Sequence, residues 1–149
     1  MYFEPYTEYR SHVSKISLRT PDGEEINIEI GPGASFGAEH MTTRLCLRGI
    51  EEIFKIKKIK TVLDLGCGSG ILGISAKVLG AEDVVLIDID PLAVQEARKN
   101  GLRNGVDSRV VILNGSLETI RRKFELVIAN IESICMPDPI SLVRRQFRS

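Results

Sequence analysis

The chain has 149 residues, of which 43% are hydrophobic and 27% are charged, a balance typical of one globular domain. Its 20 basic and 20 acidic side chains cancel, which disfavours a partner recognised by net charge alone, such as nucleic acid or an anionic membrane. No apolar run is long enough to span a bilayer, and the first residues lack a signal-peptide pattern. The three cysteines have no metal-type spacing, so we expect a single cytoplasmic domain over residues 1–149 with no metal site.

The first thirty residues predict an N-terminal arm followed by a β-hairpin. Phe3 and all three tyrosines lie in the first nine residues, and we expect this aromatic arm to cover part of the domain surface. Apolar residues alternate over residues 13–18 and 26–30, and the segment between these two runs contains Pro-Asp-Gly, a turn sequence. We expect the hairpin to be a structural lid.

A loop rich in glycine and proline comes next, over residues 31–43, with the sequence Gly-Pro-Gly-Ala-Ser-Phe-Gly-Ala-Glu-His-Met-Thr-Thr. Thr42 or Thr43 is expected to cap the first helix. The apolar face of that helix is predicted from helical spacing to comprise Leu45, Leu47, Ile50, Ile53 and Phe54. His40 is expected either to order the loop or to lie at the rim of an active site.

Residues 61–73 form the centre of the predicted fold. An apolar run over residues 62–65 is typical of a strand buried in a parallel sheet. Glycines then alternate at Gly66, Gly68 and Gly70; glycine tolerates positive φ and lets a ligand approach the backbone. A helix is predicted over residues 71–79, with Gly80 as its end. A strand, a glycine loop and a helix in this order predict a nucleotide-binding cradle.

Two classes of cofactor use such a cradle. Residues 68–73 satisfy the dinucleotide fingerprint Gly-x-Gly-x-x-Gly. However, Asp64 lies just before the loop, where a carboxylate would repel a pyrophosphate but suits the cationic ammonium of a methionine moiety. The sequence therefore favours S-adenosylmethionine over a dinucleotide.

Three further strands are predicted over residues 84–89, 110–113 and 126–129, each ending in a polar loop. The carboxyl ends of strands in open α/β sheets are where ligands bind. Asp88 follows Gly68 by 20 residues, the spacing at which a carboxylate meets ribose hydroxyls. Asp90 is expected to cap the next helix, whose inward face is predicted to comprise Leu92, Ala93, Val94 and Ala97.

Together these motifs resemble those of class I S-adenosylmethionine-dependent methyltransferases, and among them the ribosomal-protein (PrmA-like) methyltransferases. The resemblance covers residues 31–131, and its most specific part is the pairing of the loop at 31–43 with the motif at 63–73. It implies an α/β, Rossmann-like three-layer sandwich with a mostly parallel sheet. Residues 31–131 would form the cofactor-binding core and residues 132–149 a tail.

The resemblance also implies a role for individual residues. The methionine part of the cofactor would contact Asp64, Gly66, Cys67, Gly68 and Gly70. The ribose and adenine would contact Asp88, Ile89, Ser116 and Leu117. The acceptor amine would meet the methyl group at Asn130, with His40 as the candidate base.

The chain departs from the family pattern in several places. Residues 37–39 read Gly-Ala-Glu where the family usually has Gly-Thr-Gly, and Ser116 stands where many relatives carry Asp. The family's separate N-terminal recognition domain and its last strands have no counterpart here, which suggests truncation. We therefore expect the apolar strand at 126–129 to have an exposed edge that a homodimer could bury.

The expected function is methyl transfer from S-adenosylmethionine to an amine of a protein, with a ribosomal protein as the implied acceptor. One alternative is RNA methylation, although Asn130 is not followed by the Pro-Pro-aromatic signature of base methylation. Another is a domain that binds S-adenosylmethionine without activity of its own. A dinucleotide oxidoreductase is disfavoured by Asp64.

Overall fold

The computed structural model describes residues 11–35 and 40–131. The aromatic arm, residues 36–39 of the loop and the tail from residue 132 lie outside the described residues. In chain order the described elements are β1 (Ser14–Arg19), β2 (Glu25–Ile30), α1 (Met41–Ile56), β3 (Thr61–Leu65), α2 (Ile71–Val78), β4 (Asp83–Asp88), α3 (Pro91–Arg103), β5 (Val110–Asn114) and β6 (Leu126–Ala129). No helix in these ranges is long and apolar enough to cross a membrane.

The main sheet has the order β5-β4-β3-β6, and its described strands are all parallel. Leu65 at the end of β3 pairs with Ile87 on one side and Ala129 on the other. The register therefore brings the carboxyl ends of the strands to one edge. The α1, α2 and α3 helices and the hairpin pack on one face, while the segment after β5 packs on the other. The predicted Rossmann-like α/β fold is confirmed.

The predicted hairpin is also confirmed, as a separate two-stranded antiparallel sheet. Gly23 in its turn has a φ of 91°, a conformation that glycine adopts without a steric penalty. Leu18, Ile28 and Ile30 are almost completely buried in the core. The alternating apolar residues of the hairpin therefore add a layer over the helices.

The N-terminus of α1 differs from the prediction. His40 is the N-cap residue, with extended backbone angles and no side-chain capping bond. Thr42 and Thr43 already lie within the helix, so the prediction that either caps it was wrong. Thr43 is buried instead, and its hydroxyl accepts a hydrogen bond from Asn130 at 3.3 Å.

Two predicted helical faces were also partly wrong. In α1 the buried stripe is Thr43, Leu47, Ile50 and Phe54, so Leu45 and Ile53 lie off the buried face and are exposed. In α3, Ala93, Val94 and Ala97 are buried as predicted, whereas Leu92 is 70% exposed. Asp90 does cap α3, because its side chain accepts a hydrogen bond from the backbone N–H of Leu92.

Asn100 in α3 and Asn104, the C-cap residue of α3, tie the N-terminal part of the chain to this helix and to the glycine loop. The Asn104 side chain accepts from the N–H of Glu29 at 2.8 Å and donates to its C=O at 2.7 Å. The Asn100 side chain accepts from the N–H of Gly31 and donates to the C=O of Ser69, both at 2.8 Å. Because Asn100 is 1% exposed, these bonds hold β2 and the glycine loop in fixed relative positions.

Asp64 ties β3 to the start of α2. Its carboxylate is 1% exposed and accepts a hydrogen bond from the backbone N–H of Gly73 at 2.8 Å. Burial raises the pKa of Asp64 from 3.8 to about 7, an effect that the Gly73 hydrogen bond only partly offsets. Burial disfavours the charged form of a carboxyl group, so the folded chain retains this proton at a pH where the unfolded chain has lost it.

We expect the pH dependence of stability to change in the Asp64→Asn variant. In wild type the free energy of unfolding should fall by up to about 1.4 kcal/mol per pH unit between the unfolded and folded pKa values. The reason is that the folded chain binds more protons than the unfolded chain over that interval. The variant keeps an acceptor for Gly73 but cannot titrate, so its stability should change less between pH 5 and pH 8.

Urea denaturation at the two pH values measures this difference. Asp22→Asn, at an exposed position of the hairpin turn, is the matched control and should behave as wild type. An equal loss of stability with rising pH in wild type and Asp64→Asn would contradict the assignment of this titration to Asp64.

Candidate functional site

A cavity of about 430 Å³ opens at the carboxyl ends of the parallel strands. Loops after β3, β4, β5 and β6 all contribute to its wall, as does the segment before α1. The lining residues are Ala34, Ser35, Leu65, Gly66, Gly68, Ile87, Asp88, Ile89, Asp90, Leu92, Ala93, Glu96, Gly115, Ser116, Leu117, Asn130 and Ile131. This is the edge of an open α/β sheet at which ligands bind.

A larger groove of about 570 Å³ lies between β1 and α1 and includes Lys15, Arg44 and Arg48. None of the loops at the carboxyl ends of the parallel strands contributes to its lining. We therefore take the cavity at the strand ends as the candidate functional site, because this cavity, unlike the groove, is built by the glycine loop and the strand-exit loops.

The glycine loop has the backbone form that was predicted. Gly66, Gly68 and Gly70 have φ angles of 68°, 54° and 82°, all in the left-handed region that favours glycine. A Cβ atom on Gly68 would also lie 3.2 Å from the Cβ of Ser35. Gly66 and Gly68 line the cavity, whereas Gly70 is the N-cap residue of α2.

The Asp88 carboxylate joins two loops at the cavity wall. One oxygen accepts from the backbone N–H of Gly68 at 2.9 Å, and the other accepts from the N–H of Asp90 at 2.9 Å. A carboxylate has about four lone-pair positions, so each oxygen can accept one more hydrogen bond. Asp88 therefore both fixes the glycine loop and offers acceptors to a ligand with hydroxyl groups.

The loop after β5 forms another part of the cavity wall. The Asn114 side chain donates to the backbone C=O groups of Asp88 and Ile89, each at 3.0 Å. Ser116 and Leu117 line the cavity, and Leu117 is 2% exposed. Ile89 is 68% exposed, so an apolar side chain stands at the cavity rim.

The two predicted catalytic residues lie in different settings. Asn130 lines the cavity, and its bond to Thr43 fixes it against α1. His40 is exposed, and its Nδ1 lies 2.8 Å from the hydroxyl of Thr42. His40 is not among the described residues that line the cavity. The structure therefore brings Asn130, but not the His40 side chain, into the wall of the site.

Three residues expected to contact the cofactor do not line the cavity: Asp64, Cys67 and Gly70. Asp64 lies beneath the glycine loop, with its carboxylate bound to Gly73. Cys67 is buried, and its burial together with the negative charges of Asp64 and Asp88 raises the pKa of its thiol. Cys67 is therefore held as a neutral thiol and is a poor nucleophile.

Several lining residues escaped the sequence analysis, chiefly Ser35 and Glu96. Glu96 is 9% exposed, and its carboxylate accepts from the hydroxyl of Ser35 at 2.9 Å. The signal that could have revealed it is its spacing, because Glu96, Asn100 and Asn104 recur every four residues along one side of α3. We call these three residues the α3 polar stripe.

Comparison with known proteins agrees with this geometry. The family model for ribosomal protein L11 methyltransferase (PrmA) matches residues 2–139. Ribosomal protein L11 methyltransferase of Clostridium perfringens strain SM101 is 42% identical over 119 residues, which are 78% of this chain and 37% of the relative. The protein of the same name from Dechloromonas aromatica is 45% identical over 115 residues, covering 76% of this chain and 37% of the relative.

Solved structures of methyltransferases are also similar to the chain. Ribosomal protein L11 methylase from Lactobacillus delbrueckii subsp. bulgaricus has a TM-score of 0.58 and 38% identity, over 64% of this chain and 48% of that one. An RNA methyltransferase from Salinibacter ruber in complex with S-adenosyl-L-homocysteine has a TM-score of 0.54 and 25% identity, over 66% and 67% of the two chains.

The relatives in which more than a third of the aligned residues are identical are named for a protein acceptor. They do not support the alternative of an RNA acceptor, nor the predicted homodimer. The chain spans about 37% of the length of the curated relatives it matches. The family match itself extends over most of the chain. The chain belongs to the ribosomal protein L11 methyltransferase (PrmA) family.

Proposed function

We propose that the cavity at the strand ends binds S-adenosylmethionine and that the chain is the cofactor-binding part of a protein methyltransferase. The observation that carries the proposal is the position of Asp88. Its carboxylate is fixed by the N–H groups of Gly68 and Asp90 and retains lone pairs for two neighbouring ribose hydroxyls.

The charge of the cavity favours this cofactor over a dinucleotide. Three of the described lining residues are acidic, namely Asp88, Asp90 and Glu96, and none is basic. The charged side chains among these residues would all repel a pyrophosphate, whereas they attract a sulfonium and an ammonium group. The family and a structural neighbour in complex with S-adenosyl-L-homocysteine support the same choice.

The shape and polarity of the rim suit an adenine ring. Ile89 and Leu92 are 68% and 70% exposed and both line the cavity. A flat aromatic base lying against these side chains would remove apolar surface from water, which is favourable. In the loop after β5, Ser116 supplies a hydroxyl that can hydrogen-bond the edge of the base.

Asn130 is the residue best placed to orient an acceptor. It lines the cavity, and its amide nitrogen is already bound to Thr43, so its carbonyl oxygen is the group left to accept from an amine N–H. Bound S-adenosylmethionine would supply an electrophilic methyl group. Holding a neutral amine in line with that group is a proximity effect worth several kcal/mol, and it does not need a strong base. His40 remains the candidate base.

The proposed acceptor is an amine of a ribosomal protein. This part of the proposal comes from the names of the relatives, which are ribosomal protein L11 methyltransferases. Because the chain spans about 37% of their length, a second candidate is a domain that binds the cofactor but does not transfer the methyl group alone.

We expect the chain to bind S-adenosylhomocysteine and not NAD in isothermal titration calorimetry. A 2′-deoxy analogue of S-adenosylhomocysteine should bind about tenfold more weakly to wild type, because one hydrogen bond to a charged group is lost. Asp88→Ala should bind both ligands weakly and with equal affinity. Asp90→Ala is the matched control and should retain the tenfold difference.

Two results would contradict this expectation. Comparable affinities for NAD and S-adenosylhomocysteine would overturn the choice of cofactor. If the 2′-deoxy analogue still binds tenfold more weakly than S-adenosylhomocysteine to Asp88→Ala, the ribose contact must be assigned to another residue.

We also expect Asn130→Ala to separate methyl transfer from cofactor binding. The variant should bind S-adenosylhomocysteine within about twofold of wild type, because Asn130 is assigned to the acceptor. Its rate of transfer should fall by about a hundredfold or more, because the acceptor is no longer aligned. The measurement is incorporation of labelled methyl groups into a cell extract treated with protease or with ribonuclease.

Label that is lost on protease treatment supports a protein acceptor, and label that is lost on ribonuclease treatment contradicts it. Binding of S-adenosylhomocysteine by wild type with no incorporation at all would favour the second candidate. An equal rate in wild type and Asn130→Ala would contradict the role of Asn130.

A further inference from the structure

A carboxylate on α3 holds the segment of residues 33–35 against the cavity. The Glu96 Oε2 accepts from the backbone N–H of Ser35 at 3.3 Å and from the Ser35 hydroxyl at 2.9 Å. Glu96 is 9% exposed and lines the cavity together with Ser35. A buried carboxylate that accepts two hydrogen bonds from one residue constrains both its backbone and its side chain.

The chain passes unusually close to this carboxylate two residues earlier. A Cβ atom on Gly33 would lie 2.2 Å from Cδ and from Oε1 of Glu96, far inside van der Waals contact. The φ of Gly33 is outside the left-handed region. Glycine is therefore needed at this position for space and not for backbone conformation, and the space is occupied by the Glu96 carboxylate.

Ser35 in turn lies beside the glycine loop. A Cβ on Gly68 would lie 3.2 Å from the Cβ of Ser35, and the N–H of Gly68 is bound to Asp88. Ser35, held by Glu96, therefore lies beside Gly68, which is held by Asp88. A shift of Ser35 would therefore change the part of the cavity wall where the backbone of the glycine loop is expected to contact the cofactor.

We propose that Glu96 is a positioning residue that fixes residues 33–35 against the cavity and thereby sets the affinity of the cavity for the cofactor. This inference rests on the proposed function, because it concerns the same site. Of the α3 polar stripe, Glu96 is the member that lines the cavity, whereas Asn100 and Asn104 bind backbone further from it. In the α3 polar stripe, Glu96 therefore forms part of the site, whereas Asn100 and Asn104 stabilise the packing of the N-terminal part of the chain.

A double-mutant cycle tests the proposal, with S-adenosylhomocysteine as the ligand in calorimetry. Glu96→Ala removes the carboxylate, and Gly33→Ala displaces it by filling its space. Each single variant should bind the ligand about tenfold more weakly than wild type, since two charge-assisted hydrogen bonds to Ser35 are lost. In the Glu96→Ala background, Gly33→Ala should have no further effect, because the space is then vacant.

Asn104→Ala is the matched control on the same helix. It removes two hydrogen bonds to Glu29, so its melting temperature without ligand should fall at least as far as that of Glu96→Ala. Its affinity for the ligand should nevertheless stay within about twofold of wild type. Amide exchange should accelerate at Ser35 in Glu96→Ala and remain slow at Gly31, which Asn100 still holds.

Equal affinity of wild type and Glu96→Ala would overturn this inference and leave the proposed function intact. Additive losses in the double variant would also overturn it, because they would mean that Gly33→Ala acts independently of the carboxylate. If Asn104→Ala lost as much affinity for the ligand as Glu96→Ala, the loss in both variants would reflect a general destabilisation of the fold. That result would also overturn the inference. Failure of wild type to bind the ligand would overturn the proposed function and this inference together.

Discussion

The site depends on one side chain at the end of β4. The Asp88 carboxylate accepts the N–H of Gly68 from the neighbouring loop and the N–H of Asp90 from its own loop. Parallel pairing brings these two loops to the same edge of the sheet, but pairing alone does not fix their conformations. The carboxylate does so, because two backbone donors converge on it and each would otherwise need a partner. It thereby converts a strand edge into a cavity with a defined wall.

A second constraint holds the preceding part of the chain onto this framework. Asn104 and Asn100 on α3 bind the backbone of Glu29 and Gly31, and Glu96 binds Ser35. Buried side chains that satisfy backbone polar groups specify position more tightly than apolar contacts do. The hairpin and the loop before α1 are therefore set relative to the site by successive turns of one helix.

The sequence was most informative where a local rule determines structure. The glycine loop, the hairpin turn and the Asp90 cap follow from backbone preferences that act over a few residues. The sequence was less informative where tertiary contacts determine the position of a side chain. Thr43 has a good capping side chain but is buried within α1, and Leu92 faces the cavity rim although the helical period places it near the core. The role of Glu96 depends on a segment 61 residues earlier in the chain, so no local pattern could identify its partner.

The central claim is that the cavity at the strand ends, and not the larger groove between β1 and α1, binds S-adenosylmethionine. Titration of ¹⁵N-labelled protein with S-adenosylhomocysteine, followed by NMR, tests it most directly. The largest shifts are expected at the amides of Gly68, Ile89 and Leu117, with little change at Ile16 and Arg48 in the groove. Shifts concentrated at Ile16 and Arg48, or no shifts at ligand concentrations that saturate a class I methyltransferase, would contradict it.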